Sequence, residues 1–150
     1  MLAKDVMSRN VITVKADTSI REIAAMLVKE QISGMPVVDQ EDNIIGIVSE
    51  SDLMHKEMSP RLPDAVNILG AIIFYHGLRE YQEAFRKMAA TTAAEIMTEH
   101  VISVQEDEDI SQVGQLMMDH HIKRVPVLAG KKLVGIISRS DMVRMLLTEE

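Results

Sequence analysis

The sequence predicts an α/β (α+β) fold built from two similar halves, and three observations lead to that prediction. First, many positions recur at a constant distance of 90 residues. The matched pairs include Met7 and Met97, Asp17 and Asp107, Ile20 and Ile110, and Pro36 and Pro126. Second, both copies show the same order of strand-like and helix-like patterns. Third, each copy is the size of a whole supersecondary unit, so we expect two pseudo-symmetric repeats packed sheet to sheet.

The first copy is predicted to run β-α-β-β-α. The β-branched stretch 11–14 is typical of a strand. Ser19 and Glu22 form the capping-box pattern that begins a helix, and apolar residues then recur on one helical face. The stretch 36–48 has two apolar runs around a polar turn and predicts a hairpin. Ser51-Asp52 is a good amino-terminal cap for the helix that follows.

The second copy repeats this order with small changes. Asp109 offers a similar helix start, and Gly130 marks a hairpin turn that is one residue shorter than in the first copy. We therefore predict a first repeat over 1–54, an insert or linker over 55–92 and a second repeat over 93–150.

The insert has no counterpart in either copy and is predicted to be helical. Pro60 and Pro63 interrupt the chain, Asp64 is a candidate cap for a helix from Ala65, and a second helix is expected over Leu78–Ala90. All four aromatic residues lie here, namely Phe74, Tyr75, Tyr81 and Phe85. They form either a cover over the repeats or a self-association surface, since aromatic residues are favoured at both.

Composition excludes several classes of partner and chemistry. A net charge of −7 argues against nucleic acid and against an anionic membrane. The absence of cysteine excludes disulfides and thiolate chemistry. The longest apolar stretch, residues 65–75, is too short to span a bilayer, and the amino terminus lacks a signal-peptide core. We expect a soluble cytoplasmic protein.

The informative local motif is Gly-x-x-Ser-x-x-Asp, found at Gly46–Asp52 and again at Gly135–Asp141. Glycine in a strand allows close approach of another backbone or a flat ligand. The serine and the following helix start are suited to phosphate, and the aspartate to the vicinal hydroxyls of a ribose. The alternative interpretation is helix capping alone, and two copies in the same context favour a ligand site.

These motifs resemble the tandem cystathionine-β-synthase-type (CBS) domain pair, or Bateman module. The resemblance includes the openings Asp5-Val6-Met7 and Glu95-Ile96-Met97, and the segments at Ile32–Asp39 and Ile122–Val127. It implies a regulatory module that binds adenosine-containing ligands, such as AMP, ADP or ATP, in clefts between the two copies. It also implies a homodimer.

The resemblance places ligand-binding residues in two clefts. The first cleft would use Thr13, Ile32, Ser33, Lys123, Arg124, Ile136, Ser138, Arg139 and Asp141. The second cleft would use Ile47, Ser49, Asp52, Ser103 and Ile122. Neither repeat contains an aromatic residue, so a base would lie between aliphatic side chains.

The two clefts differ in charge. Lys123 and Arg124 replace Ser33 and Gly34 of the first copy, and Arg139 replaces Glu50. Guanidinium groups suit phosphate oxygens, so the cleft with Asp141 is predicted to be the principal nucleotide site.

No nucleophile–base pair is visible, so an enzyme is not expected, and no cofactor or metal is predicted to be required. The leading hypothesis is an adenine-nucleotide sensor that responds by conformational or oligomeric change. The alternatives are an S-adenosylmethionine sensor and a structural oligomerisation or adaptor module with vestigial clefts. The regulated protein partner is not specified by the sequence.

Overall fold

The computed structural model describes residues 1–57 and 64–147, and within them the chain is a mixed α/β protein. In chain order the elements are α1 (Ala3–Val6), β1 (Val14–Lys15), α2 (Ile20–Glu30), β2 (Gly34–Val38), β3 (Ile44–Ser49), α3 (Glu50–Glu57), β4 (Asp64–Ile68), β5 (Ala71–His76), α4 (Leu78–Ala89), α5 (Ala93–Ile96), β6 (Val104–Gln105), α6 (Ile110–Asp119), β7 (Arg124–Ala129), β8 (Lys132–Ser138) and α7 (Arg139–Met145). Both copies follow the order β-α-β-β-α, so the predicted fold class is confirmed.

Each copy contributes one three-stranded sheet, ordered β1-β2-β3 and β6-β7-β8. In the second sheet, β7 pairs in parallel with β6 and antiparallel with β8. The predicted helix starts are also found. Ser19 and Glu22 form a complete capping box at α2, and Asp109 caps α6 by accepting a hydrogen bond from Ser111 N–H.

The chain forms two compact units that are interleaved in the sequence. Unit one comprises Met1–Thr13, Pro36–Gly46 and Glu99–Glu150, and unit two comprises Val14–Met35 and Ile47–Thr98. These units do not follow the linear division at residues 54 and 92, which remains a prediction about where the repeats begin and end.

Unit one contains most of the second copy together with the amino-terminal segment and Pro36–Gly46. The Ala3 and Lys4 N–H groups donate to the carbonyl oxygens of Glu108 and Glu106, at 2.8 and 2.9 Å. Ser8 forms an antiparallel bridge with Ile136 of β8. The core of this unit is apolar and consists of Ala3, Met7, Ile110, Val113, Met117, Val125, Val127 and Ile137.

Unit two repeats this arrangement with the segment that opens the second copy. Ala93 N–H donates to the Thr18 carbonyl at 2.8 Å, and Thr98 forms an antiparallel bridge with Ile47 of β3. Ile96 is completely buried, as is Ile23 of α2. In each unit, the short segment that opens one copy therefore pairs with a strand of the other copy and packs against its core.

The insert differs from the prediction in its first half. The expected helix from Ala65 is wrong, because β4 and β5 form an antiparallel hairpin there. Leu69 and Gly70 take positive φ angles of 51° and 87° at the turn, and the strands are rich in β-branched residues, which favour this structure over a helix. The predicted second helix is confirmed as α4, while Pro60 and Pro63 lie outside the described residues.

The described helices include none that combines the length and the hydropathy required to cross a bilayer.

Candidate functional site

The second Gly-x-x-Ser-x-x-Asp motif lies where β8 ends and α7 begins. Ser138 donates two hydrogen bonds to Asp141 Oδ2, at 2.8 Å from its N–H group and 2.6 Å from its hydroxyl. Asp141 N–H donates in return to Ser138 Oγ at 3.2 Å. The motif is therefore a capping box, as the capping interpretation proposed. It satisfies one carboxylate oxygen and fixes the carboxylate at the helix start.

The second oxygen of this carboxylate pairs with an exposed arginine. Arg144 Nη1 lies 3.2 Å from Asp141 Oδ1, and the side chain of Arg144 is 71% exposed while that of Asp141 is 17% exposed. An ion pair with such an exposed partner contributes little to stability. Oδ1 can consequently exchange Arg144 for another donor at small cost.

Asp141 also lines a cavity of about 230 Å³ within unit one. The other lining residues are Met1, Asp5, Val6, Arg144 and Met145. Sequence reasoning missed the amino-terminal contribution to this cavity. The Asp5-Val6-Met7 motif identified the segment, but its packing beside α7 is a tertiary contact that no local pattern encodes.

Cationic residues gather next to this motif. Arg124 is directly opposite Ser138 in the β7–β8 register. Arg139 N–H donates to the Lys123 carbonyl at 3.1 Å, and Arg139 Nε donates to the Ile122 carbonyl at 3.0 Å. Within the described part of the chain, Arg139 pairs with no carboxylate. The structure thus brings Lys123, Arg124, Ser138, Arg139 and Asp141 into one region.

The glycine of this motif is covered by Met7 on the side where a side chain would lie. A Cβ atom built on Gly135 would lie 2.3 Å from Met7 Sδ and 2.7 Å from Met7 Cγ. The close approach that the glycine permits on this side is therefore that of a core side chain. The neighbouring Ile136 is half-buried and pairs through its backbone with Ser8.

The remaining residues predicted for this cleft line a second cavity of unit one or belong to unit two. Thr13 lines a different cavity of unit one, of about 170 Å³, whose other lining residues are Arg9, Val11, Val38, Asp42, Leu133 and Val134. Ile32 and Ser33 belong to unit two, where the Ser33 carbonyl accepts a hydrogen bond from Glu50 N–H at 3.0 Å. Their grouping with Asp141 stays a prediction.

The first motif has the same local geometry and a different environment. Ser49 donates to Asp52 Oδ2 from its N–H group at 2.8 Å and from its hydroxyl at 3.1 Å. Asp52 Oδ1 accepts a hydrogen bond from Lys87 Nζ. Asp52 is only 5% exposed, and it is the one charged residue buried to this degree among those described.

Helix α4 supplies this lysine and is held in place by a second one. Lys56 of α3 donates from Nζ to the carbonyl oxygens of Met88 and Ala90, at 3.1 and 2.7 Å. Sequence reasoning missed Lys87, although the spacing of residues in α4 contains a signal for it. Lys87 lies at helical spacing from Tyr81 and Ala84, and all three are only partly exposed. A lysine among inward positions indicates a buried acidic partner.

The other residues predicted for the second cleft are divided between the units. Ile47 lies in unit two with Ser49 and Asp52, and its backbone pairs with Thr98. Ser103 and Ile122 lie in unit one, so their association with Asp52 stays a prediction.

Comparison with protein families identifies the repeat. The CBS domain model matches residues 3–59 and 93–148, which together make up most of the chain. The chain belongs to the CBS domain family. Two matches within one chain make it a CBS domain pair, as the sequence motifs predicted.

Several curated relatives share this pair. The uncharacterised protein MJ1426 of Methanocaldococcus jannaschii is 28% identical, with 98% of this chain and 92% of that protein covered. The chloroplastic CBS domain-containing protein CBSX2 of Arabidopsis thaliana is 27% identical, covering 93% of this chain and 60% of that protein.

Solved structures show the same fold. The CBS domain pair of protein MJ0100, crystallised with 5-methylthioadenosine and S-adenosyl-L-methionine, has a TM-score of 0.73 and 26% identity and covers 100% of this chain and 98% of that chain. CBSX2 in complex with AMP has a TM-score of 0.82 and 24% identity, and the match covers 99% of this chain and 98% of that chain.

Proposed function

We propose that this CBS domain pair is a non-enzymatic regulatory module that binds an adenosine-containing ligand beside Asp141. The observation that carries the proposal is the position of that carboxylate. Asp141 lines a cavity, one of its oxygens is fixed by Ser138, and the other pairs with an exposed arginine. A carboxylate in this state is ready to accept hydrogen bonds from the two hydroxyls of a ribose.

The surrounding residues suit the other parts of a nucleotide. Val6 and Met145 supply apolar surface in the same cavity, in keeping with a base held between aliphatic side chains. Arg124 begins β7 and Arg139 begins α7, both beside Ser138, where they can donate charge-assisted hydrogen bonds to phosphate oxygens. Binding would then change the shape or the pairing of the module.

The comparisons support an adenosine-containing ligand as a class. The MJ0100 pair holds two such molecules, and neither carries a phosphate. The choice of AMP, ADP or ATP for this chain instead rests on charge. S-adenosylmethionine carries a sulfonium cation, which the cations at positions 123, 124 and 139 would repel, whereas they would attract phosphate.

Isothermal titration calorimetry with AMP, ATP, adenosine and S-adenosylmethionine tests the proposal. We expect AMP or ATP to bind more tightly than adenosine, with Arg139→Glu removing that preference. AMP serves as the first ligand because CBSX2 was crystallised with it. Tighter binding of S-adenosylmethionine would overturn the nucleotide assignment. The absence of a binding heat for all four ligands would overturn the ligand-binding function.

The alternative is a structural oligomerisation or adaptor module, favoured by one observation. The ion pair of Asp52 with Lys87 leaves the first motif engaged within the protein. Under this alternative the module acts through its insert, and adenine nucleotides have no effect on it. Homodimerisation and a cytoplasmic location remain predictions.

A further inference from the structure

The carboxylate of the first Gly-x-x-Ser-x-x-Asp motif is occupied by a side chain of the insert. Ser49 donates to Asp52 Oδ2, from its N–H group at 2.8 Å and from its hydroxyl at 3.1 Å. The other oxygen, Oδ1, accepts a hydrogen bond from Lys87 Nζ, and both side chains of this ion pair are buried. Lys87 therefore stands on the carboxylate oxygen that the motif itself leaves available for a ligand.

The second motif is held differently. Asp141 Oδ1 pairs with Arg144, which lies three positions along the same helix and is largely exposed. In the first copy the residue three positions after Asp52 is His55, which is exposed. Asp52 is instead reached by Lys87, a residue of the insert that has no counterpart in either repeat. The lysine is thus a feature of the insert and not of the repeated motif.

Helix α4 carries Lys87 and is lightly packed. Lys56 of α3 holds its carboxyl end by donating to the carbonyl oxygens of Met88 and Ala90, at 3.1 and 2.7 Å. The residues Leu78–Ala89 all lie in the described part of the chain, and none of them is fully buried. An element with few buried apolar contacts opens at a lower free energy than the core does. The helix can therefore withdraw Lys87 while the sheets stay folded.

We infer that Lys87 closes the first motif to an adenosine-containing ligand, so that the lysine and the ligand compete for Asp52. This inference rests on the proposed function, because it requires that a motif carboxylate accepts the ribose hydroxyls. The lysine ammonium and the hydroxyls are both donors to the same oxygen, so they exclude each other there. By linkage, whatever withdraws α4 opens a second binding site, and a ligand in that site withdraws α4.

The charges at the opened motif select the class of ligand. Once Lys87 is withdrawn, Glu50 and Asp52 are left two positions apart in the first turn of α3. Two negative charges repel phosphate, whereas the hydroxyls of a ribose still find an acceptor. The opened site therefore takes an adenosine compound without phosphate, in contrast to the nucleotide proposed for Asp141.

The closed state sets the size of the expected effect. The apparent affinity of a site is reduced by the fraction of molecules in which that site is open. A buried ion pair keeps this fraction small, so removing Lys87 should strengthen binding at Asp52 by about tenfold or more.

Adenosine titration in the Asp141→Ala background tests the competition, because that substitution removes the other site. Asp141→Ala with Lys87→Met should bind adenosine about tenfold or more tightly than Asp141→Ala alone in calorimetry. Lys29→Met is the matched control, since it also removes one lysine charge, from an exposed position near the end of α2. Adding Asp52→Ala should abolish the gain. No gain from Lys87→Met, a gain that survives Asp52→Ala, or an equal gain from Lys29→Met would each overturn the inference.

Amine labelling of the wild-type protein gives a second test that needs no destabilising substitution. A pulse of acetic anhydride, followed by peptide mass spectrometry, should acetylate Lys87 more slowly than Lys29, because Lys87 is buried and Lys29 is exposed. Saturating adenosine should raise the rate at Lys87 about twofold or more and leave Lys29 unchanged. An unchanged or lower rate at Lys87 would overturn the competition, and this measurement decides if the Lys87→Met variants do not fold.

AMP titration of wild type distinguishes a failure here from a failure of the proposed function. AMP binding that is lost in Asp141→Ala supports the proposed function, whatever Lys87→Met does to adenosine. If wild type binds no AMP while Asp141→Ala with Lys87→Met binds adenosine, the site at Asp141 is overturned and the closure by Lys87 stands. Absence of binding in both titrations would overturn both.

Discussion

Lys87 of helix α4 forms an ion pair with Asp52, and the two side chains keep only 11% and 6% of their surface exposed. The equivalent aspartate of the second copy, Asp141, instead pairs with Arg144, which is 71% exposed. The same motif therefore has a structural partner in one copy and a replaceable partner in the other. The insert causes this difference, because it supplies Lys87.

Removing Lys87 should destabilise the protein. Lys87→Met would leave Asp52 buried with its two hydrogen bonds from Ser49 and without its countercharge. Breaking a buried pair from one side is costly, so we expect a loss of about 2–4 kcal/mol in the free energy of unfolding. Urea denaturation monitored by circular dichroism measures it. The double variant Lys87→Met with Asp52→Asn should recover most of the loss, and the absence of recovery would contradict a direct pair.

The two aspartates should differ in their effect on ligand binding. Asp141→Ala should weaken AMP or ATP binding by about ten- to a hundredfold, the equivalent of one charge-assisted hydrogen bond or more. Arg139→Glu should have an effect at least as large. Asp52→Ala should reduce binding less, because its carboxylate is already engaged by Lys87. Calorimetric titration of the three folded variants compares them, and a larger loss for Asp52→Ala than for Asp141→Ala would contradict the assignment.

Gly135 should resist substitution because of Met7. In Gly135→Ala, the added methyl group would meet Met7 Sδ, Cγ and Cβ, all within 3.0 Å. Overpacking of this kind costs about 1–3 kcal/mol. Thermal unfolding of the single variants and of Met7→Ala with Gly135→Ala forms a double-mutant cycle. We expect the double variant to lose less stability than the sum of the two single variants. Strictly additive losses would show that the clash is relieved elsewhere.

Acid should weaken the start of helix α2. Ser19 donates to Glu22 from its N–H group and its hydroxyl, both at 3.0 Å, and these hydrogen bonds hold the pKa of Glu22 below its ordinary value of 4.5. A carboxylate with a lowered pKa in the folded state stabilises the fold above its unfolded pKa, and that contribution is lost as the pH falls below about 4.5. The melting temperatures of wild type and Glu22→Gln should therefore differ at pH 7 and become similar as the pH is lowered to 3. A constant difference in melting temperature across this range would contradict the capping role.

Local patterns in the sequence predicted the elements of both repeats well. The Ser19–Glu22 capping box, the cap at Asp109 and the hairpin turn at Gly130 each depend on residues a few positions apart. The secondary structure of the insert was harder to predict, because the run from Ala65 to His76 is apolar on both faces and is compatible with a helix or with two strands. The chain turns at Leu69 and Gly70, which both take positive φ angles, and therefore forms a hairpin.

By itself, the sequence determined the family, the β-α-β-β-α order of each copy and the identity of the two Ser–Asp motifs, because these features repeat within the chain and are local. The tertiary structure decided what each motif contacts. Met7 packs on Gly135, Met1 and Val6 line the cavity of Asp141, and Lys87 reaches Asp52. These contacts join residues 35 or more positions apart, and they depend on how whole segments pack rather than on any periodicity that a single stretch of sequence contains.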